Sequence, residues 1–111
     1  MTKANYLNNL FESLIGTNNL SIPSKTILLE EGKIADRLYL IRKGCLRLFF
    51  YNEGKDITFQ FFFEGDFVAS FDSLYRRKPS LFSLESIEPT EVSTIKRDDF
   101  YHLIEQTPFT N

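Results

Sequence analysis

The sequence of 111 residues contains one cysteine, one histidine and no tryptophan. A single thiol, Cys45, excludes both an internal disulfide and a metal centre built from several cysteines. The one histidine, His102, cannot form a structural zinc site with Cys45 and local ligands alone. It also excludes the His-rich metal cluster of a β-barrel enzyme. We therefore predict no metal site.

An excess of charge and a long hydrophobic segment are also missing. Thirteen Lys and Arg against fifteen Asp and Glu give a net charge of -2, which argues against binding nucleic acid through a strongly basic surface. Apolar runs such as Phe61–Phe63 are far too short to cross a bilayer, and the N-terminus has no secretory signal. A hydrophobic content of 42% suffices for a core. These features predict one soluble, cytoplasmic domain over residues 1–111 that does not contact a membrane.

Motifs that carry catalysis are absent from the sequence. It has no nucleophile elbow, no phosphate-binding Walker loop and no His-Glu-x-x-His motif. Its acidic pairs, Glu30-Glu31 and Asp98-Asp99, are neighbours in the chain and do not converge on one substrate. The chain is therefore predicted not to be an enzyme.

Phenylalanine is abundant: there are twelve, and six of them fall within residues 49–63. Apolar residues alternate over this stretch, so that Ile57, Phe59, Phe61 and Phe63 are expected to share one strand face. Leu38 and Leu40 are expected to share the face of another strand. We interpret the phenylalanine cluster as hydrophobic core.

Glycines divide the same region at regular intervals. Gly32, Gly44, Gly54 and Gly65 are 12, 10 and 11 residues apart, which is typical of turns in an all-β sandwich or barrel. Residues 52–55 read as a tight hairpin loop. Helical periodicity flanks this β-region, and the predicted elements are a helix over 3–16, a β-region over 20–96 and a helix over 98–106.

Five short motifs resemble, in order and spacing, the cyclic-nucleotide-binding sensory domain of CRP/FNR (catabolite activator) regulators, bacterial transcription factors. The resemblance covers about residues 20–108. The motifs are Ile22-Pro-x-Lys25-x-x-Leu28-x-x-Glu31-Gly32, Leu38-Tyr39-x-Ile41-x-x-Gly44, Gly54-Lys55-x-Ile57, Phe63-Glu64-Gly65-Asp66-Phe67 and Ile95-x-x-x-x-Phe100-x-x-Leu103-Ile104-x-x-x-Pro108.

The resemblance implies a mainly β fold, a double-stranded β-helix or jelly-roll-like β-roll flanked by N- and C-terminal helices. It implies a domain that senses a small anionic effector and passes the signal to a dimerisation helix and a DNA-binding helix-turn-helix. Neither element falls within these 111 residues. We therefore expect part of a longer homodimeric regulator, or a single-domain relative. With one cysteine, the iron–sulfur cluster found in one branch of the family is excluded.

In the family, a short helical segment that follows a strand binds the ligand. Its Gly-Glu pair and its Arg-Ser pair correspond here to Ala69-Ser70 and Pro79-Ser80, so the glutamate and the arginine are missing. The predicted ligand contacts are the backbone amides of Ser70 and Phe71, the Ser80 hydroxyl, and one of Arg76 or Arg77. Phe59 and Gln60 are expected on the pocket wall. This set indicates a small anionic effector, either a cyclic nucleotide or another anion.

Two alternatives remain open at this point. Residues 76–78 read equally well as a solvated loop tip. The whole domain also reads as a ligand-free, degenerate β-roll that serves only dimerisation or interaction, in which Phe59 or Phe71 fills the pocket.

Overall fold

The structure, a computed structural model, describes residue 9 and residues 18–105, without the side chains of residues 103 and 104. The helix predicted over 3–16 therefore lies outside the described residues, apart from residue 9. The elements, in chain order, are β1 (Asn19–Ile22), β2 (Ile27–Leu29), β3 (Arg37–Lys43), β4 (Leu46–Asn52), β5 (Lys55–Phe62), β6 (Phe67–Val68), α1 (Phe71–Arg76), β7 (Ser83–Ser86), β8 (Thr90–Lys96) and α2 (Arg97–Glu105).

The strands form two four-stranded antiparallel sheets, which confirms the predicted mainly β class. One sheet has the order β1-β8-β3-β6 and the other the order β2-β7-β4-β5. The chain switches repeatedly from one sheet to the other, as it does in a β-roll. No helix among the described residues is long and apolar enough to cross a membrane.

Strand β3 is buried on both faces, which explains its continuous apolar run. Tyr39 and Ile41 pack between the sheets with Leu46, Leu48 and Leu84 of the opposite sheet. The alternating positions on β3 face the helices, because Leu38 and Leu40 share a second cluster with a leucine of α1 and a phenylalanine of α2. The predicted common face of Leu38 and Leu40 is confirmed. The second cluster joins both helices to β3.

The turn glycines occupy the left-handed backbone region, as their spacing predicts. In the hairpin between β4 and β5, Glu53 and Gly54 both have positive φ, the pattern of a two-residue type I′ loop. Gly44 has a φ of +107°, and a Cβ there would lie 2.5 Å from Thr90 Oγ1. Gly44 is therefore required by both conformation and packing.

The phenylalanine cluster is only partly core, contrary to the prediction. Phe49 is buried, but Phe59, Phe61 and Phe63 are each about half exposed. Two features explain this. Strand β5 lies at the edge of its sheet. A β-bulge also interrupts the alternation, since Leu48 pairs with Gln60 and Phe49 with Thr58, which leaves Phe59 unpaired.

The bulge also breaks the predicted common face of β5. Phe59 is shifted to the side of Gln60 and Phe62, and all three line the same cavity. Phe61 lies opposite Arg47 and does not contribute to that cavity.

Arg47 organises the outer face of β4. Its guanidinium donates two hydrogen bonds of 2.7 Å to the Asp56 carboxylate and one of 2.9 Å to Glu85, and it lies 4.0 Å from the centre of the Phe49 ring. The hydrogen bonds from Arg47 hold the pKa of Asp56 below its ordinary value. The Arg47 guanidinium covers the ring of Phe49, which is buried although it belongs to neither of the two hydrophobic clusters.

Candidate functional site

Helix α1 follows β6 after two residues and is fixed by a buried serine. Ser73 Oγ accepts a hydrogen bond of 2.8 Å from the backbone N–H of Ala35 and donates one to the carbonyl of Lys78. Asp72 in the first turn is favourable to the helix dipole, and Arg77 ends the helix with a left-handed backbone. Ser73 therefore ties α1 both to the loop before β3 and to the segment that follows the helix.

A cavity of about 280 Å³ lies between α1 and the sheet that contains β4 and β5. The walls are mostly apolar side chains from β4, β5, α1 and the segment before β7. The lining residues are Leu48, Phe59, Gln60, Phe62, Ala69, Ser70, Phe71, Asp72, Ser73, Pro79, Leu81 and Phe82. The cavity lies where the resemblance predicts a ligand site.

The structure brings Ser70, Phe71, Phe59 and Gln60 together around this cavity. The Phe59 and Phe82 rings lie 4.7 Å apart between centroids, at an angle of 38°. Phe59 and Phe71 line the cavity without closing it. Gln60, which faces the cavity, makes no side-chain hydrogen bond to a described residue.

Ser80 is hydrogen-bonded to Ser70 of the cavity but is not itself one of the described lining residues. It is 3% exposed and borders a neighbouring open groove. Ser80 Oγ lies 2.6 Å from the carbonyl and 3.0 Å from the N–H of Phe82, and 2.7 Å from Ser70 Oγ. Because a hydroxyl has one proton, Ser80 donates to the carbonyl of Phe82 and accepts from Ser70. Ser70 Oγ is thus used in this network and does not cap α1.

The basic residues at the end of α1 and directly after it do not line the cavity. Arg76 and Lys78 form ion pairs of 3.3 Å and 3.0 Å with Asp72. Arg77 is exposed and has no side-chain partner among the described residues. Neither Arg76 nor Arg77 lines the cavity. The carboxylate of the same helix binds Arg76, and a ligand contact by Arg76 or Arg77 stays a prediction.

The electrostatic character of the cavity follows from these contacts. Among the described residues, Asp72 is the one ionisable residue of the lining, and no Lys or Arg lines the cavity. Across residues 9 and 18–105, no group of three or more His, Cys, Asp or Glu is placed to hold a metal ion. The buried thiol of Cys45 lies elsewhere, and burial raises its pKa, which makes it a poor nucleophile.

Arg97, the first residue of α2, connects the cavity helix to α2. Its Nε donates a hydrogen bond of 2.6 Å to the Leu74 carbonyl, and Nη2 lies 3.4 Å from the Tyr75 carbonyl. These carbonyls belong to the last turn of α1, where helix carbonyls lack internal partners. The Arg97 guanidinium also lies 4.6 Å from the ring centre of Tyr101, which contacts Tyr75. One side chain therefore caps α1 and anchors α2.

The sequence model of the family described as "Cyclic nucleotide-binding domain" matches residues 19–107. This chain belongs to that family. A comparison with curated protein sequences gives no match.

Solved structures with the fold of this cyclic nucleotide-binding domain include the catabolite activator protein of Thermus thermophilus. It is 24% identical with a TM-score of 0.79, over 93% of this chain and 47% of that one. The c-di-GMP-responsive global regulator CLP of Xanthomonas campestris is 17% identical with a TM-score of 0.76, over 89% and 49%. A cyclic nucleotide-binding-like protein of Brucella abortus is 23% identical with a TM-score of 0.70, over 86% and 84%. The domain thus spans about half the length of the first two proteins.

The residues of this cyclic nucleotide-binding domain do not fit a cyclic phosphate in the family's manner. Ala69 and Ser70 replace the Gly-Glu pair, and Pro79 lies on the wall where the arginine is expected. The described lining residues therefore include no guanidinium that could form two hydrogen bonds with a phosphate.

Sequence reasoning missed several residues that build the site. Ser73 and Arg97 act through hydrogen bonds with backbone groups, which leave no motif. Leu81 and Phe82 line the cavity from a segment that carries no periodic pattern. The pair of Asp72 and Arg76 did carry a signal, because residues four apart on a helix face each other.

Proposed function

We propose that this chain is the effector-sensing domain of a CRP/FNR-type transcription regulator, and that a small effector binds in the cavity beside α1. The observation that carries the proposal is the direct contact between the helix that lines the cavity and the helix that ends the domain. Arg97 makes that contact through the carbonyls of Leu74 and Tyr75. Membership of the cyclic nucleotide-binding domain family supports a role in ligand binding.

The transmission step rests on α1 and α2 moving together. An effector in the cavity touches the first turn of α1 at Phe71 and Asp72. The last turn is held by Arg97, and Leu74 packs in the same cluster as Phe100 of α2. A shift of α1 therefore displaces the start of α2. The effector signals only if it prefers one of the two arrangements.

The downstream parts of the regulator belong to the same proposal. The domain spans about half of the catabolite activator protein and of CLP. With a net charge of -2, it is not itself suited to hold DNA. We assign DNA contact to a separate helix-turn-helix and dimerisation to a helix that continues from α2. Such a regulator is a cytoplasmic homodimer.

A ligand-free interaction module is the competing hypothesis, and one observation argues against it. That hypothesis needs Phe59 or Phe71 to fill the pocket. Both side chains are about half exposed at the edge of a cavity that stays open. The observed arrangement therefore supports ligand sensing.

Hydrogen exchange measured by mass spectrometry tests the proposal on the full chain. Cyclic AMP, cyclic GMP, small carboxylates and small neutral aromatic compounds are added in turn, and exchange is followed in the peptides that contain α1 and α2. We expect at least one compound to slow exchange in both helices. In Arg97→Gln the response of α1 should persist and that of α2 should be lost, whereas Lys96→Gln, a control at the neighbouring exposed residue, should behave as wild type.

Two results would contradict the proposal. One is that no compound changes exchange in α1. The other is that α2 responds equally in wild type and in Arg97→Gln, which would remove the assigned connection.

A further inference from the structure

The cavity beside α1 has the size of a small ring system. An apolar cavity of about 150 Å³ holds benzene, and drug-sized ligands occupy sites from about 300 Å³ upward. At about 280 Å³ this cavity therefore accommodates one or two fused rings.

Three exposed apolar side chains lie together at the opening of the cavity. Phe59, Phe71 and Leu81 are 58%, 51% and 68% exposed, and all three line this one cavity. A soluble domain gains free energy when such a patch is covered, in proportion to the apolar area removed from water. Deeper in the wall, the Phe82 ring lies beside that of Phe59 and offers a flat partner for stacking.

The described lining of the cavity offers no cation to an anion. Asp72 is the one charged residue among the described lining residues, and its ion-pair partners Arg76 and Lys78 do not line the cavity. A phosphate in the cavity would find no Lys or Arg among the described residues of the wall. Gln60 instead offers an amide that has no side-chain partner among the described residues, with both donor and acceptor groups.

We propose that this cavity binds a small, flat, uncharged aromatic molecule, which packs against Phe59 and Phe82 and forms one hydrogen bond with the Gln60 amide. The inference rests on the proposed sensing function and names the chemical class of the effector. A cyclic nucleotide is a different class, because its phosphate needs a cation that no described residue of this wall supplies.

The test compares neutral and anionic probes on the full 111-residue chain. The neutral probes are N-phenylnaphthylamine and indole, whose fluorescence is not overlaid by tryptophan emission because the chain has no tryptophan. The anionic probes are cyclic AMP and inorganic phosphate, followed by calorimetry. We expect saturable binding of at least one neutral probe and none of the anions.

Two phenylalanines of β5 provide a matched pair of variants. Phe59 and Phe61 are on the same edge strand and are 58% and 48% exposed, but only Phe59 lines the cavity. Phe59→Ala should raise the Kd of the neutral probe about tenfold, the loss of roughly one stacking contact, and Phe61→Ala should leave it unchanged. Leu81→Ser, in a loop outside the sheets, should also weaken binding, and it keeps the test valid if Phe59→Ala folds poorly.

Asp72→Asn separates charge from shape. It removes the carboxylate and releases Arg76 and Lys78, so weak binding of cyclic AMP should appear.

The failures of the two proposals differ. Saturable binding of cyclic AMP by wild type with no neutral probe bound would overturn the aromatic assignment and leave the sensing function standing. An equal loss of probe affinity in Phe59→Ala and Phe61→Ala would mean that the probe binds to the surface of the strand and not in the cavity. This result would also overturn the aromatic assignment. If no probe of either class binds and no compound alters hydrogen exchange in α1, both proposals are wrong.

Discussion

Replacing Ser80 by alanine distinguishes a ligand contact from a structural hydroxyl. Ser80 is 3% exposed, and its Oγ is shared by the Phe82 carbonyl, the Phe82 N–H and the Ser70 hydroxyl. Ser80→Ala leaves all three groups without that partner in a buried position. At about 1 kcal/mol for each hydrogen bond, the expected loss in the free energy of unfolding is about 2–3 kcal/mol.

Two other serines provide the comparison. Ser70→Ala removes one hydrogen bond of this network and should cost about 1 kcal/mol. Ser24 donates a hydrogen bond of 2.9 Å to the Ile87 carbonyl in an exposed position, where water replaces the lost partner. Ser24→Ala should therefore change stability by less than about 0.5 kcal/mol.

Thermal and urea unfolding followed by circular dichroism measure these differences. For a domain of this size the Ser80→Ala loss corresponds to a Tm lower by about 10 °C or more. A Tm for Ser80→Ala equal to that of Ser24→Ala would refute the assigned network and restore Ser80 as a free hydroxyl. Reduced probe binding without reduced stability would lead to the same conclusion.

Three further predictions follow from conformation, charge and burial. Gly44→Ala should destabilise the domain by about 2–4 kcal/mol in urea unfolding, whereas Gly54→Ala, which meets open space, should cost only about 1 kcal/mol; equal losses would contradict the packing argument. Hydrogen bonds from Arg47 lower the pKa of Asp56 in the folded state. The ion pair therefore stabilises the domain above the unfolded pKa of 3.8, and this stabilisation is lost as the pH falls below that value. In unfolding experiments at different pH, Asp56→Asn should abolish this part of the acid dependence. Cys45, buried and with a raised pKa, should react with iodoacetamide only on unfolding, and rapid labelling of the native chain, detected by mass spectrometry, would show the burial to be wrong.

The sheet class was predictable because turns and alternation are local properties. The glycine spacing located the hairpin at Gly54 correctly, since positive φ is a property of one or two residues. The alternation of Leu38 and Leu40 gave the correct face of β3, because the strand is regular there. In both places the local preference and the tertiary packing agree.

The face of β5 was not predictable, since the bulge depends on its pairing with β4. Along a regular strand, every second residue lies on the same face. The unpaired residue Phe59 shifts this alternation by one position, so that the residues on either side of it exchange faces. The sequence from Ile57 to Phe63 alternates in the same way with or without that bulge. The exposure of Phe61 and Phe63 has a related cause, because only the sheet order reveals that β5 is an edge strand.

The sequence was sufficient to locate the segment that borders the cavity. It did not show whether the basic side chains of that segment line the cavity. Residues 70–80 do flank the cavity, and Ser70 and Phe71 line it. The three consecutive cations after α1 suggested an anion site. Their positions in the chain do not indicate whether they point into the cavity or along the helix surface.

Asp72 determines where two of the basic side chains of that segment lie. In a six-residue helix, Asp72 lies one turn before Arg76, and the left-handed backbone at Arg77 turns the chain so that Lys78 returns to the same carboxylate. The carboxylate borders the cavity, and the two cations that are paired with it do not line the cavity. A basic segment of the sequence thus lies beside a cavity whose described lining is mostly apolar. An effector is selected by the groups that line the pocket, and here the described groups are apolar side chains, two serines, one amide and one carboxylate.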